Sequence, residues 1–591
     1  MVCPPGFRLL LLSGLIVSGA LAADPEPGPD SPEWARLAQA VEQGDPHQAK
    51  QLAATHPSLL ASKFSKQSLL LLAAQEGHPE LVAWLLGSGA DPHLAVNATS
   101  PLAAALEWDR ATLETRTRDF PELVRWQKQL VVAAGQPGKP DLSLTGQKDP
   151  ARLLDDLRRY LSPLPAELVA RKSRIIALLL PDGTKHIRSP DKVTDHLLGA
   201  AARNGFGAEA INRLVAAGLP VNPREPGIAT PPLHAAVQAG NLPAVEALLA
   251  HGAERERLFV SSFGVMTGMS MEAGGVTPLM TAVMFEQDDV GRLLLDRGAR
   301  ADTANRVQAQ ALHLAAARGR STLVRLLLER GARADCLDRW LCTPLNRAAA
   351  AGQLDAVKIL VEARAGLELA DEAGFTPLLS AMEKDRLETV EYLLQQGASL
   401  RARTDFGKGP LRVAATTNAL RVARLLLARR EPVEGDTPGL NTPLLEAVGS
   451  GHPPMVALLL EHGASPEARD RATRGTTIIW AIRAQPAQPT PTAAGINSSY
   501  RLTKAPTTAY LEIIRLLAAN HADLDAHDRL RNTALHYAAE AGARESVELL
   551  LSLGATRDLR NDRGLTPRDL ALAAGHPEVV ALFVSPNPSR P

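Results

Sequence analysis

Residues 277–299 read TPLMTAVMFEQDDVGRLLLDRGA, and residues 442–464 read TPLLEAVGSGHPPMVALLLEHGA. The two stretches are versions of one pattern. Copies open at Thr277, Gln310, Thr343, Thr376, Gly409 and Thr442, and each step between them is 33 residues. A fixed period of this length marks a repeat architecture in which no single copy closes a core. Within a copy, Thr supplies an N-cap and Pro278 or Pro443 takes the first helical position, where a missing N–H costs nothing. The sixth position is always small: Ala282, Ala315, Ala348, Ala381, Ala414 and Ala447. That makes the first helix of each pair thin. The second is thick, with Leu293-Leu294-Leu295, Leu326-Leu327-Leu328 or Leu458-Leu459-Leu460 needing burial on more than one side. Gly298, Gly331, Gly397 and Gly463 follow as left-handed caps. Each copy must therefore bury its leucines against its neighbours in the chain.

Leu312-His313-Leu314-Ala315-Ala316, Thr533-Ala534-Leu535-His536-Tyr537-Ala538-Ala539 and Leu233-His234-Ala235-Ala236 carry the opening of a known module. The chain resembles the ankyrin-repeat family, with its T-P-L-H-x-A start, helix-turn-helix body and projecting finger. The resemblance implies an all-α solenoid of about 13 to 15 helix-turn-helix repeats with short β-hairpin fingers. It also implies that His234, His313 and His536, which share the fourth motif position, tie adjacent openings together rather than act in catalysis. His78, His452 and His576 each follow a glycine at the turn between helices, another positional habit of the repeat.

Outside the regular block the chain divides as follows. Arg8 precedes the apolar run from Leu9 to Ala22, which ends in Ala20-Leu21-Ala22. Residues 1–22 are accordingly read as a signal peptide, since the run is short of the ~20 residues that a membrane span needs. Residues 33–192 form an N-terminal cap and degenerate repeats with inserts. Residues 193–583 form the regular array, and 584–591 a disordered tail. The cap departs from the pattern because an end repeat must turn a polar face to water. A repeat opening at Ser100-Pro101-Leu102 is stretched after Trp108. Thr476 to Ile482 opens another whose helices are separated by Gln485 to Thr508. The loop before Thr277 is lengthened by an apolar insert that holds Phe259, Phe263, Met266 and Met269.

Lys plus Arg and Asp plus Glu are both 64, so no net field favours nucleic acid or an acidic membrane. No H-E-x-x-H, paired C-x-x-C or phosphate-cradling glycine loop occurs, and the chain is read as a non-enzyme without cofactor or metal. Cys336 and Cys342 flank five residues of one finger. In an oxidising compartment that spacing allows a cross-strand disulfide, and two free thiols are the alternative.

Partner-binding candidates are the residues that serve solubility poorly where they stand. Arg339, Trp340, Phe375 and Phe406 lie at or beside finger tips, and Phe259, Phe263, Met266 and Met269 lie in the insert. Arginine and aromatic residues make interface hot spots, and exposed apolar clusters mark partner sites. The alternatives are packing onto the next finger for the first group and a loop folded back as a plug for the second. Together these features lead us to expect an exported, monomeric scaffold, periplasmic or secreted. It would capture a protein partner on its concave face and fingers. A cell-envelope spacer, or an immunity or protective factor for a secreted enzyme or toxin, is the alternative.

Overall fold

The computed structural model describes residues 31–60, 63–92, 94, 99–106, 112, 164–181, 194–223, 230–259, 274–435, 441–470, 472–486 and 505–583. It is all-α, and the described residues contain fourteen helix pairs, within the expected range. The chain divides into two units: Met1–Ala315 with Arg325–Arg333, and Ala316–Val324 with Ala334–Pro591. The apolar run 9–22, the tail 584–591, and Phe263, Met266 and Met269 lie outside the described residues. No described helix is long and apolar enough to cross a membrane.

Each unit is built by one rule. Thin helices pack on thin helices and thick on thick, one copy after another. In the C-terminal unit the thin row is Pro344–Ala351, Pro377–Glu383, Pro410–Thr417, Pro443–Ser450, Thr477–Arg483, Ala534–Glu540 and Pro567–Ala573. The caps that start these helices are as the sequence demands: the Thr343, Thr376, Thr442 and Thr566 hydroxyls accept backbone N–H groups three residues on, at 3.1 to 3.4 Å. All six alanines at the sixth position are fully buried. Close packing leaves no room there for a longer side chain without displacing the neighbouring helix.

The N-terminal unit resolves the stretch that fits the repeat poorly. Ala166–Leu179 packs on both Pro79–Gly87 and Pro101–Leu106, and so serves as the thick helix of the copy opened by Pro101. The Asn204 side chain donates to the Leu106 carbonyl at 2.6 Å, and the Leu164 N–H donates to the Asn204 carbonyl. Thr477–Arg483 and Thr507–Ala519 make a second pair with an insert between thin and thick helix.

The fourth-position histidines are structural ties. His234 Nε2 lies 3.0 Å from the Val276 carbonyl and His536 Nε2 3.2 Å from that of Leu565, in each case the residue before the next opening threonine. Asn346 does the same work, donating to the Phe375 carbonyl at 2.7 Å. His313 Nδ1 accepts the Gln310 N–H. Burial lowers His234 to a pKa of about 4, against the pull of the Val276 bond, and burial also lowers His452 and His536. Unfolded histidine, at about 6.5, takes up a proton before the folded form does. The stability that His234 contributes is thus intact above pH ~6.5 and is lost as pH falls towards its folded value of about 4. For His234 the loss is on the order of 3 kcal/mol. Urea denaturation at pH 7.5 and 4.5 should show a smaller gap between the two pH values for His234→Gln, which retains a donor, than for the wild type. An unchanged gap would mean that other groups carry the acid sensitivity.

Candidate functional site

The fingers carry most of the candidate residues, and their construction differs from a β-hairpin. Among the described residues there is no strand, only isolated bridges such as Ala304 with Gln310 and His527 with Thr533. In the fingers of residues 305–309, 338–342, 371–375, 528–532 and 561–565 a side chain closes the loop instead. The Asp338 carboxylate accepts the N–H groups of Trp340 and Cys342, at 2.9 and 3.1 Å. Asp371 accepts from Ala373 and Phe375, Asp528 from Leu530 and Asn532, Asn305 from Val307 and Ala309, and Asn561 from Arg563 and Leu565. A short polar side chain thus does the work that a ladder does in a hairpin. The third residue after it turns left-handed, at φ 57 for Leu341 and 80 for Gly374, and likewise Gly407, at φ 66, follows Thr404, whose hydroxyl accepts the Lys408 N–H at 3.2 Å.

Backbone bonds link successive fingers within a unit. Glu372 N–H donates to the Trp340 carbonyl at 2.9 Å, and Asp405 N–H to that of Ala373 at 3.0 Å. Arg339, Trp340, Phe375 and Phe406 therefore stand on three consecutive, mutually bonded fingers of the C-terminal unit. Their environments differ. Phe406 is 61% exposed and Arg339 is exposed. Trp340 is half-buried, with the Arg347 guanidinium 5.5 Å from its ring centroid, and Arg347 is clamped in turn by Asp338. Phe375 is half-buried at the base of its finger. For Trp340 and Phe375 the packed reading describes much of the side chain. Phe406 and Arg339 stand exposed.

Cys336 and Cys342 are buried thiols, not bonded to each other. With the finger closed by Asp338, there are no paired strands to bring them face to face. The Cys342 sulfur sits 3.8 Å from an Asp371 oxygen. Burial, with Asp338 and Asp371 adding to it against Arg347, pushes this thiol up to about 12. A group so held is a poor nucleophile.

In the N-terminal unit, Phe259 forms an antiparallel bridge with Val276, and its ring lies 5.5 Å from that of His234. This end of the insert rests on the thin helix Pro232–Gln238.

Sequence reasoning missed three things. The finger-closing residue was visible as Asn305, Asp338, Asp371 and Thr404 at the repeat period, and again as Asp528 and Asn561. Leu337, Leu341 and Leu530, exposed by 46, 48 and 58%, join the finger-tip surface. A charge cluster joins two copies: Glu446 accepts from Lys408 Nζ at 2.9 Å and from the Arg412 guanidinium at 2.7 Å, and Arg412 also donates to the Gly407 carbonyl. Arg412 stands where the motif places its histidine, and its charge was not weighed as a site. No group of three metal-ligating side chains occurs among the described residues.

Comparison with known proteins agrees with this geometry. Family models described as ankyrin repeats match residues 197–306, 312–404 and 505–589, and a single-repeat model matches 65–98 and 440–471. A putative palmitoyltransferase ZDHHC13 of Danio rerio is 29% identical over 153 residues, 24% of each chain. Putative ankyrin repeat protein L271 of Acanthamoeba polyphaga mimivirus is 33% identical over 75 residues, 13% of this chain and 10% of its own. Protein phosphatase 1 regulatory subunit 27 of Homo sapiens is 38% identical over 82 residues, 14% of this chain and 53% of its own. The similarity spans a quarter or less of the first two relatives and about half of the third. With the matched segments covering more than half of the sequence, and with thin and thick helices stacked in register between bonded fingers, the chain belongs to the ankyrin-repeat family.

Proposed function

We propose that this chain is a protein-binding scaffold whose contact surface is the finger row of the C-terminal unit, centred on Phe406 and Arg339 with Leu337 and Leu341 beside them. The observation that carries it is Phe406: a phenylalanine 61% exposed, on a finger fixed by hydrogen bonds to the one before it. A mobile loop could fold such a ring away. A braced finger keeps it in water until something covers it, and a surface already rigid loses little entropy on binding. Export to the periplasm, or secretion, belongs to the same proposal and is supported by the apolar run Leu9 to Ala22. The partner would then be a protein of that compartment.

The test uses the full chain. Phe406→Ser and Arg339→Ser together should weaken capture of a partner identified by mass spectrometry by about tenfold or more, with the melting temperature essentially unchanged. Undiminished capture would remove the finger row from the interface. Edman sequencing of the exported chain should begin near Ala23, and a start at Met1 would count against export.

A further inference from the structure

We infer that the Lys408–Arg412 pair receives a carboxylate from the bound partner, so that the partner presents an acidic residue beside an apolar one. The inference rests on the protein-binding reading above and names the chemistry of its contact. At the fourth motif position most copies place neutral groups: His234, His536 and Asn346 tie to a backbone carbonyl, and Met280, Leu379 and Leu445 pack as core, while Asp569 in the last described copy is a capping carboxylate that accepts the Thr566 N–H and hydroxyl. Arg412 instead brings a full charge to a side chain that is 7% exposed, and Lys408 brings a second at 25%. One carboxylate, Glu446, with its side chain 14% exposed, faces both.

Among the described residues two cations face one anion, largely out of water, which leaves an excess positive charge that a neutral residue would have avoided. Arg412 uses one terminal nitrogen for Gly407 and the other for Glu446, while its buried Nε has no partner. The nearby Asp405 does not redress the balance, because its carboxylate lies against Gly374 on the preceding finger. Lys408 gives the cluster its opening to solvent. Two residues before it on the same finger stands the exposed Phe406, so the finger offers an apolar contact and a cation side by side. This copy also lies between the segments that the family models match, which end at 404 and resume at 440.

A random 12-residue phage-displayed peptide library, panned on the full-length chain and counter-selected on its Phe406→Ser variant, tests this directly. Selected peptides should carry Asp or Glu next to an aromatic or aliphatic residue. Their affinity should fall about tenfold or more with Lys408→Met, survive Lys408→Arg, and rise with Glu446→Gln, which removes the competing carboxylate. Circular dichroism melts confirm that each variant is folded. Because the peptides bind through charge, raising the salt should weaken them in the wild type more than in Lys408→Met. Peptides that need Phe406 but lack an acidic residue, or that ignore Lys408→Met, would overturn the inference and leave the finger-row interface standing. Failure to obtain any Phe406-dependent peptide would overturn both. A rise in melting temperature with sodium sulfate, abolished by Lys408→Met and unaccompanied by acidic peptides, would reassign the cluster to a small inorganic anion.

Discussion

Replacing Gly374 with alanine is expected to destabilise the C-terminal unit by about 3 kcal/mol, and Gly397→Ala by only about 1 kcal/mol. Both glycines are left-handed, at φ 80 and 93, so both substitutions place a Cβ where an L-residue is strained. They differ in what that Cβ meets. At Gly397 nothing lies within 4 Å, whereas at Gly374 the Asp405 backbone nitrogen would be 2.5 Å away and the Thr404 carbonyl carbon 2.8 Å. Those atoms are backbone and cannot swing aside. The next finger would have to move, breaking the Asp405 to Ala373 hydrogen bond and shifting Phe406 with it. Urea titration of the two variants should give clearly separated midpoints, and the Gly374 variant alone should lose partner capture. Equal losses at the two sites would show that the fingers are not braced by this approach.

Asp338→Ala is expected to cost about 3 to 4 kcal/mol, and Asp338→Asn about 1 to 2 kcal/mol. The Asp338 side chain is fully buried, and it accepts two backbone N–H groups while pairing with Arg347. Alanine removes every one of these contacts. It leaves the Trp340 and Cys342 amides without their acceptor and strands Arg347 beneath the Trp340 ring. Asparagine closes the equivalent loops at Asn305 and Asn561 with bonds of 3.0 to 3.1 Å, so it should keep the finger and lose only the ion pair. Denaturation of the two variants against the wild type reads the difference. A second readout is thiol chemistry: an opened finger should let a disulfide reagent reach Cys342 faster in Asp338→Ala than in Asp338→Asn. If asparagine proved as damaging as alanine, the ion pair rather than the loop would be the dominant contribution.

The helices were legible residue by residue because each depends on its own few neighbours in the chain. A threonine hydroxyl caps the amide three residues on, and an alanine face leaves room wherever it recurs, so the 33-residue period yielded the thin and thick rows directly. The copy at Pro101 was not legible, because its thick helix begins at Ala166 and no local pattern says which distant helix will fill a vacant place in a stack. The fingers fell between these cases. Their closing carboxylates recur with the period, but the hairpin expectation obscured them, and whether Trp340 faces solvent or Arg347 depends on how the finger folds back.

By itself, then, the sequence determined the repeat and the order of its helices, since both follow from short-range spacing, while the tying role of the fourth-position histidines was what the ankyrin resemblance implied. Tertiary structure alone decided that Cys336 and Cys342 stand as buried thiols, that Phe406 stays in water while Trp340 is stacked, and that Lys408 and Arg412 converge on Glu446 from the next copy. Burial and charge compensation are properties of what lies across a packed interface; for Glu446 those atoms stand about one repeat away in the chain, and for Trp340 on the finger and helix of its own copy.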